Sequence, residues 1–188
     1  MPDVHEPSAW HPDWLRPVWP VPATVGAMFT TRAGGVSASP YAALNLGSHV
    51  GDVPVRVEDN RNLVGQAIGR APVYLNQVHG VDICSLGALG PHLATPLAPQ
   101  LAPQLAPSPP PTADGAYTDQ PAQVCTVMVA DCLPVLLCDV RGTAVAAAHA
   151  GWRGLAGGGE SGGRGVLEAA VEAFSPLAPV DAAQVAIK

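Results

Sequence analysis

At 188 residues the chain is long enough for one domain with a substantial core and too short for two ordinary ones. Nine Lys and Arg stand against 15 Asp and Glu, a formal charge of −6, and no basic run is present to follow a phosphate backbone, so nucleic acid is not an expected partner. Hydrophobic residues make up 48% of the sequence but fall in short Ala, Val and Leu runs, too short for a membrane-spanning helix; with no cationic-then-apolar leader after Met1, a cytoplasmic protein is expected.

In chain order, residues 1–22 are rich in Pro and Trp (Trp10, Trp14, Trp19, Pro17, Pro20, Pro22), which predicts an extended arm lying over the domain. Thr24 to Thr31 reads as a strand that breaks at Gly34 and Gly35. Between Pro54 and Gly69 the apolar residues Val57, Leu63, Val64, Ala67 and Ile68 fall near helical spacing, with Gly69 where a C-terminal cap belongs. Val73 to Val78 reads as a strand delivering His79 and Gly80 at its end.

Residues 94–112 contain Leu-Ala-Pro-Gln twice and Leu-Ala-Pro-Ser once, then three prolines, and predict a mobile surface insertion. Order is expected to resume at Ala113-Asp114-Gly115. Val124 to Val129 and Pro134 to Cys138 read as two adjacent buried strands flanking Cys132. After a turn at Asp139 to Gly142, the small residues Thr143 to Ala148 read as an interior strand closing on His149. A glycine-rich stretch, Gly157 to Gly165, precedes an amphipathic helix carrying Val166, Leu167, Ala170, Val171 and Phe174. Ala182 to Ile187 reads as a strand entered but not left, so a truncated chain is expected.

The four cysteines lie in or beside apolar segments, unlike the close, turn-rich spacing of a secreted disulfide scaffold, so reduced thiols are expected. Cys84, Cys125 and Cys138 read as packing residues. Cys132, beside Asp131 and near a proline, stands apart. With His79 and His149 it makes two imidazoles and a thiol, each where a strand meets a turn. Such a trio can hold zinc with a fourth position open for water or substrate. It can equally act without metal, as a thiolate activated by an imidazole.

The loop Arg32-Ala-Gly-Gly-Val-Ser37 offers a cation, a hydroxyl and approachable N–H groups for an anion, or is a plain turn. Arg153 is a second anion clamp four residues past His149, or an arginine stacked on Trp152. His49 reads as a turn residue, and His5, His11 and His92 as peripheral.

In series, Thr31-Arg-Ala-Gly-Gly-Val-Ser37, Leu44-Asn-Leu-Gly47, Gly51-Asp52, Asn60-Arg61, Asn76-Gln-Val-His-Gly80, Ala113-Asp114, Ala130-Asp-Cys-Leu-Pro-Val135 and Ala147-Ala-His-Ala-Gly-Trp-Arg-Gly154 resemble the bacterial YfiH-like proteins. These are labelled laccase-domain or multicopper polyphenol oxidases and, more recently, purine nucleoside phosphorylases. The resemblance implies a single α+β domain with mixed β-sheets covered by helices, the YfiH-like or cysteine-hydrolase-like fold, and family structure continuing past residue 188. It implies His79, Cys132 and His149 as metal ligands and catalytic residues, with zinc, or copper, as cofactor. Arg32, Ser37, Asn45 and Arg153 are the corresponding candidates for binding substrate or phosphate. The implied activity is phosphorolysis of adenosine, inosine and methylthioadenosine, with adenosine deamination alongside.

A blue-copper centre plus a trinuclear cluster needs many His ligands, usually in His-x-His pairs. With six His and no such pair, the sequence does not fit a true multicopper oxidase. The His-x-Glu with Pro-Cys-x-x-Cys signature of zinc deaminases is also absent. Competing readings are a copper-dependent polyphenol oxidase with a single copper, a cysteine hydrolase cleaving an amide in peptidoglycan precursors, and an inactive metal-binding remnant.

Overall fold

The computed structural model describes residues 10–89, 109–158, 162–176 and 183–187, the last by backbone alone. Helix α1, Pro54–Ile68, begins with a proline whose missing N–H would have had no partner in the first turn. It ends where Gly69 enters the left-handed region (φ 73°) and donates its N–H to the Gly65 and Gln66 carbonyls. Strands β1 (Ile83–Ser85), β2 (Gly115–Thr118), β3 (Leu133–Asp139), β4 (Val145–Ala150) and β5 (Ala183–Ile187) form one sheet in the order β1-β2-β4-β3-β5. β1 pairs with β2 in parallel and every other neighbour is antiparallel, giving the expected mixed α+β architecture.

Helices α2 (Trp152–Ala156) and α3 (Val166–Phe174) follow β4. Alanines 146, 148 and 150 of β4 are almost fully buried, and their small side chains leave room for Val166, Ala170 and Phe174 of α3 to pack on the sheet with Val135 and Leu137. A second cluster joins Val73, Leu75, Leu86, Ala113 and Ala116. In a third, Trp14 of the N-terminal segment packs on Leu44 and on Val64 of α1, while its indole N–H donates to the Ala33 carbonyl. No helix among the described residues is long and apolar enough to cross a membrane.

Several expected strands are not ladders. Residues 24–31, 73–78 and 124–129 contribute only the isolated bridges Leu15↔Phe29, Val73↔Cys125 and Asn76↔Thr112. Side chains take the backbone partners that a ladder would have used. The N–H groups of Val78, His79 and Gly80 donate to the Asp114 carboxylate, and the Met128 N–H donates to the Gln77 side chain. Cys132 is therefore flanked by one strand, β3, rather than two. β1, β2 and α2 form in stretches that the sequence pattern does not mark as elements, and His149 lies inside β4 instead of after it. Of the Pro-rich stretch 94–112, residues up to 108 lie outside the described residues, as do 1–9 of the N-terminal segment.

The β3–β4 turn is held by Asp139, 1% exposed, which accepts from the Thr143 N–H and Oγ1, the Ala144 N–H and the Arg141 Nε. Burial works to raise its pKa, but these donors outweigh it and hold the carboxyl below its ordinary 3.8. A carboxyl depressed in this way contributes stability above its unfolded pKa, and that contribution is lost as pH falls through the folded value. Asp139→Asn is therefore expected to reduce the slope of thermal stability against pH between about pH 5 and 2, measured by circular dichroism melts. An unchanged acid slope would show that the turn does not carry this linkage.

Candidate metal centre

One end of the sheet collects the reactive residues. β1, β2 and β3 all begin there and β4 ends there, as the pairs Ile83↔Gly115, Gly115↔Ala148 and Leu133↔Ala150 require. Asp114 immediately precedes β2, Cys132 immediately precedes β3, His149 is the last residue but one of β4, and His79 lies in the turn that leads towards β1. His79 and Cys132 thus enter strands where the sequence suggested that His79 ends one.

Asp114 is fully buried and organises both imidazoles. Its Oδ2 accepts from the Val78 N–H at 3.1 Å and the Gly80 N–H at 2.7 Å, and its Oδ1 from the His79 N–H at 2.8 Å. Three N–H groups converging on one carboxylate bend the chain so that His79 takes φ 61°, a conformation L-residues seldom adopt without such over-determination. Oδ1 also lies 2.9 Å from His149 Nδ1, and the Asp114 carbonyl accepts the His149 N–H at 2.7 Å. Burial works to raise the Asp114 pKa, yet the His149 ring and the three N–H donors hold it below the ordinary value. The carboxylate accepts only, so the proton sits on His149 Nδ1 and Nε2 is the free lone pair.

His149 is 4% exposed and forms the floor, whereas His79 is exposed and forms the rim. Their rings meet edge to face, centroids 4.7 Å apart at 76°. Cys132 Sγ lies 3.8 Å from His79 Nε2, and ligand atoms of all three residues lie within 4.8 Å of one another. A tetrahedral zinc with bonds of roughly 2.0–2.3 Å sets its ligands about 3.3–3.8 Å apart, so a small contraction closes the trio on an ion. Burial, then the neighbouring Asp131 carboxylate and Asp114, push the Cys132 thiol up. A cation at the site offsets that effect and favours the thiolate.

Gly151 completes the cradle. A Cβ there would lie 2.8 Å from His79 Cδ2 and 3.0 Å from Cys132 Sγ, in the space between the two ligands. The donor set, the carboxylate behind one imidazole and the room left by Gly151 all fit a metal ion held by His79, Cys132 and His149. Among the described residues this is the one group of three His, Cys, Asp or Glu side chains so arranged.

The remaining candidates have other partners. Arg32 donates from Nε and Nη2 to the Ala42 carbonyl, closing its own loop. Ser37 donates to Asp52 Oδ2 at 2.6 Å and accepts from Asn60, and Asn45 donates to the same Asp52 oxygen. These residues knit loop 31–53 to α1. Arg153 sits on α2 beside the cradle, 5.2 Å from the Trp152 ring centroid, with no ion-pair partner among the described residues. Burial raises the thiols of Cys84, Cys125 and Cys138. Asp114 and Gly151 lay within recognised motifs, but their roles depend on contacts that a local pattern does not disclose.

An α+β domain that gathers a His-Cys-His trio at one sheet end, with a buried carboxylate behind it, defines a class of proteins with a candidate metal site. The chain belongs to the family described as multi-copper polyphenol oxidoreductase laccase, whose profile matches residues 26–187. It is 45% identical over 161 residues to the purine nucleoside phosphorylase PA4543 of Pseudomonas aeruginosa, covering 86% of this chain and 56% of that protein. Over 163 residues it is 45% identical to the purine nucleoside phosphorylase YfiH of Escherichia coli, covering 86% and 57%. The crystal structure of Neisseria meningitidis protein NMB0706 superposes with a TM-score of 0.74 at 41% identity, covering 93% of this chain and 61% of that one. YlmD from Geobacillus stearothermophilus gives 0.68 at 31% identity, with 93% and 61% covered. The chain thus spans little more than half the length of the curated relatives it matches.

Proposed function

We propose that this chain carries the reactive centre of a zinc-dependent purine nucleoside phosphorylase acting in the cytoplasm. The observation that carries the reading is the convergence of His79, Cys132 and His149 on one open point, with His149 oriented by Asp114. In the reaction a phosphate oxygen bonds to the ribose anomeric carbon of adenosine, inosine or methylthioadenosine. The glycosidic C–N bond breaks, its electron pair leaves with the base, and the base nitrogen gains a proton. Zinc held by the trio would supply a Lewis acid for developing negative charge.

The protein's own groups supply the rest. Asp114 keeps the proton on His149 Nδ1 and so keeps Nε2 facing the site. Arg153, whose guanidinium meets no carboxylate among the described residues, would hold phosphate; Arg32, Ser37 and Asn45, tied into loop 31–53, complete the substrate side by setting that loop. Adenosine deamination is a side activity of the same centre, and copper an alternative occupant of the same ligands. A thiol pushed up by burial and by Asp131 counts against a metal-free cysteine hydrolase.

Chromatography of adenosine and inosine incubated with the protein, with and without phosphate, tests the reading. Free base is expected to appear only with phosphate, and to fall at least about 100-fold in Cys132→Ser and after chelation. Base release that persists in Cys132→Ser, or that ignores phosphate, would overturn it; inosine formed from adenosine without phosphate reports the deaminase activity.

A further inference from the structure

The two outer walls of the centre, exposed His79 and half-buried Cys132, come from segments outside the five-stranded sheet. His79 follows the Val73–Val78 stretch, and Cys132 follows residues 126–131, which make no ladder between the Val73↔Cys125 bridge and the start of β3. Register between β3 and β4 places Cys132 against His149, but no ladder links the His79 segment to the Cys132 segment, so the separation of these two ligands is not set directly by sheet register.

Gln77 spans that gap. Its Nε2 donates to the Met128 carbonyl at 2.8 Å, and the Met128 N–H donates back to its Oε1 at 2.7 Å. The side-chain amide stands in for one peptide of a neighbouring strand and satisfies both backbone groups of Met128. Gln77 lies two residues before His79 and Met128 four before Cys132, so the pair clamps both ligand-bearing segments close to their ligands. The Met128 side chain is held in turn by Arg61, whose Nη2 lies 3.9 Å from Sδ.

We propose that Gln77 is a positioning residue that sets the His79–Cys132 separation and thereby the affinity of the centre for a divalent metal. The inference rests on the trio being a metal centre. Asp114 fixes His79 and His149 relative to one another but makes no hydrogen bond to the Cys132 segment among those described. Gln77 supplies that third side of the triangle. Its loss leaves all three ligands present and able to close on an ion, but no longer held at the required spacing beforehand.

The test is titration of metal-free protein with cobalt(II), read by its visible d–d bands and the thiolate-to-cobalt absorption, for wild type, Gln77→Leu and Val64→Ala. Val64→Ala removes buried side-chain volume in the cluster on α1, away from the centre, and controls for general destabilisation. Gln77→Leu is expected to bind cobalt about 10- to 100-fold more weakly, with the wild-type spectrum recovered at saturation. Val64→Ala is expected to melt at lower temperature with unchanged cobalt affinity. Folded Gln77→Leu binding cobalt within about twofold of wild type would overturn the positioning role and leave the metal centre standing. Wild-type protein that binds no cobalt would overturn both.

Discussion

Gly151→Ala is expected to lower metal affinity by at least about 100-fold and to remove turnover, while leaving the fold intact. The backbone tolerates the change, since Gly151 has φ −70° and ψ 158°, an extended conformation open to alanine. The steric consequence is confined to the ligands, because the new methyl would lie 2.8 Å from His79 Cδ2 and 3.0 Å from Cys132 Sγ. His79 is exposed and can swing outward, so the overlap is relieved by separating the trio and not by straining the core. Zinc affinity by chelator competition and a melting curve on the metal-free protein measure the two halves. A Gly151→Ala protein that binds zinc like wild type would show that the methyl finds room elsewhere and that the cradle is not tight.

Asp114→Asn is expected to cost more stability, as well as metal affinity. Both carboxylate oxygens are used as acceptors: Oδ1 by the His79 N–H and His149 Nδ1, Oδ2 by the Val78 and Gly80 N–H groups. An amide accepts through one oxygen only and turns its NH2 towards donors, and exchanging the two ends merely moves the conflict. Two partly buried donors left without an acceptor cost at most roughly 1–3 kcal/mol each, so a loss of about 1–4 kcal/mol is expected by urea denaturation. Without a carboxylate to select it, the Nδ1–H tautomer of His149 is no longer enforced, and zinc affinity is expected to fall about 10- to 100-fold. Equal stability of Asp114→Asn and wild type would exclude the carboxylate as the organiser of this turn.

The distinction between these variants follows from depth. Gly151 touches the ligands from the open side and acts on binding. Asp114 lies beneath them and holds the chain path itself, so fold and site are coupled through one side chain. Cys132→Ser differs from both, because it removes the soft ligand while the hydrogen bonds around Asp114 remain.

Much of this was legible in the sequence because the informative signals are local. His79, Cys132 and His149 each sit in a dense motif beside an apolar run. Gly69 marks the end of α1, and the stripe from Val166 to Phe174 marks α3. These depend on residues within a turn or two of one another, where periodicity and capping chemistry act directly. Tertiary structure alone decided how the ligands are held. The carboxylate of Asp114 serves residues 34 to 36 positions before it and 35 after it, and Gln77 is paired with a peptide 51 residues away. The same contacts explain why Val73–Val78 and Val124–Val129, strand-like in composition, do not form ladders. Arg32 and Ser37 show the converse, since a cation and a hydroxyl beside two glycines look open to an anion until the carbonyl of Ala42 and the carboxylate of Asp52 are seen to engage them. Residue type limits which partners a polar group can accept, but only the packed chain determines which partner arrives, because that choice depends on the burial and competition of groups far apart in sequence.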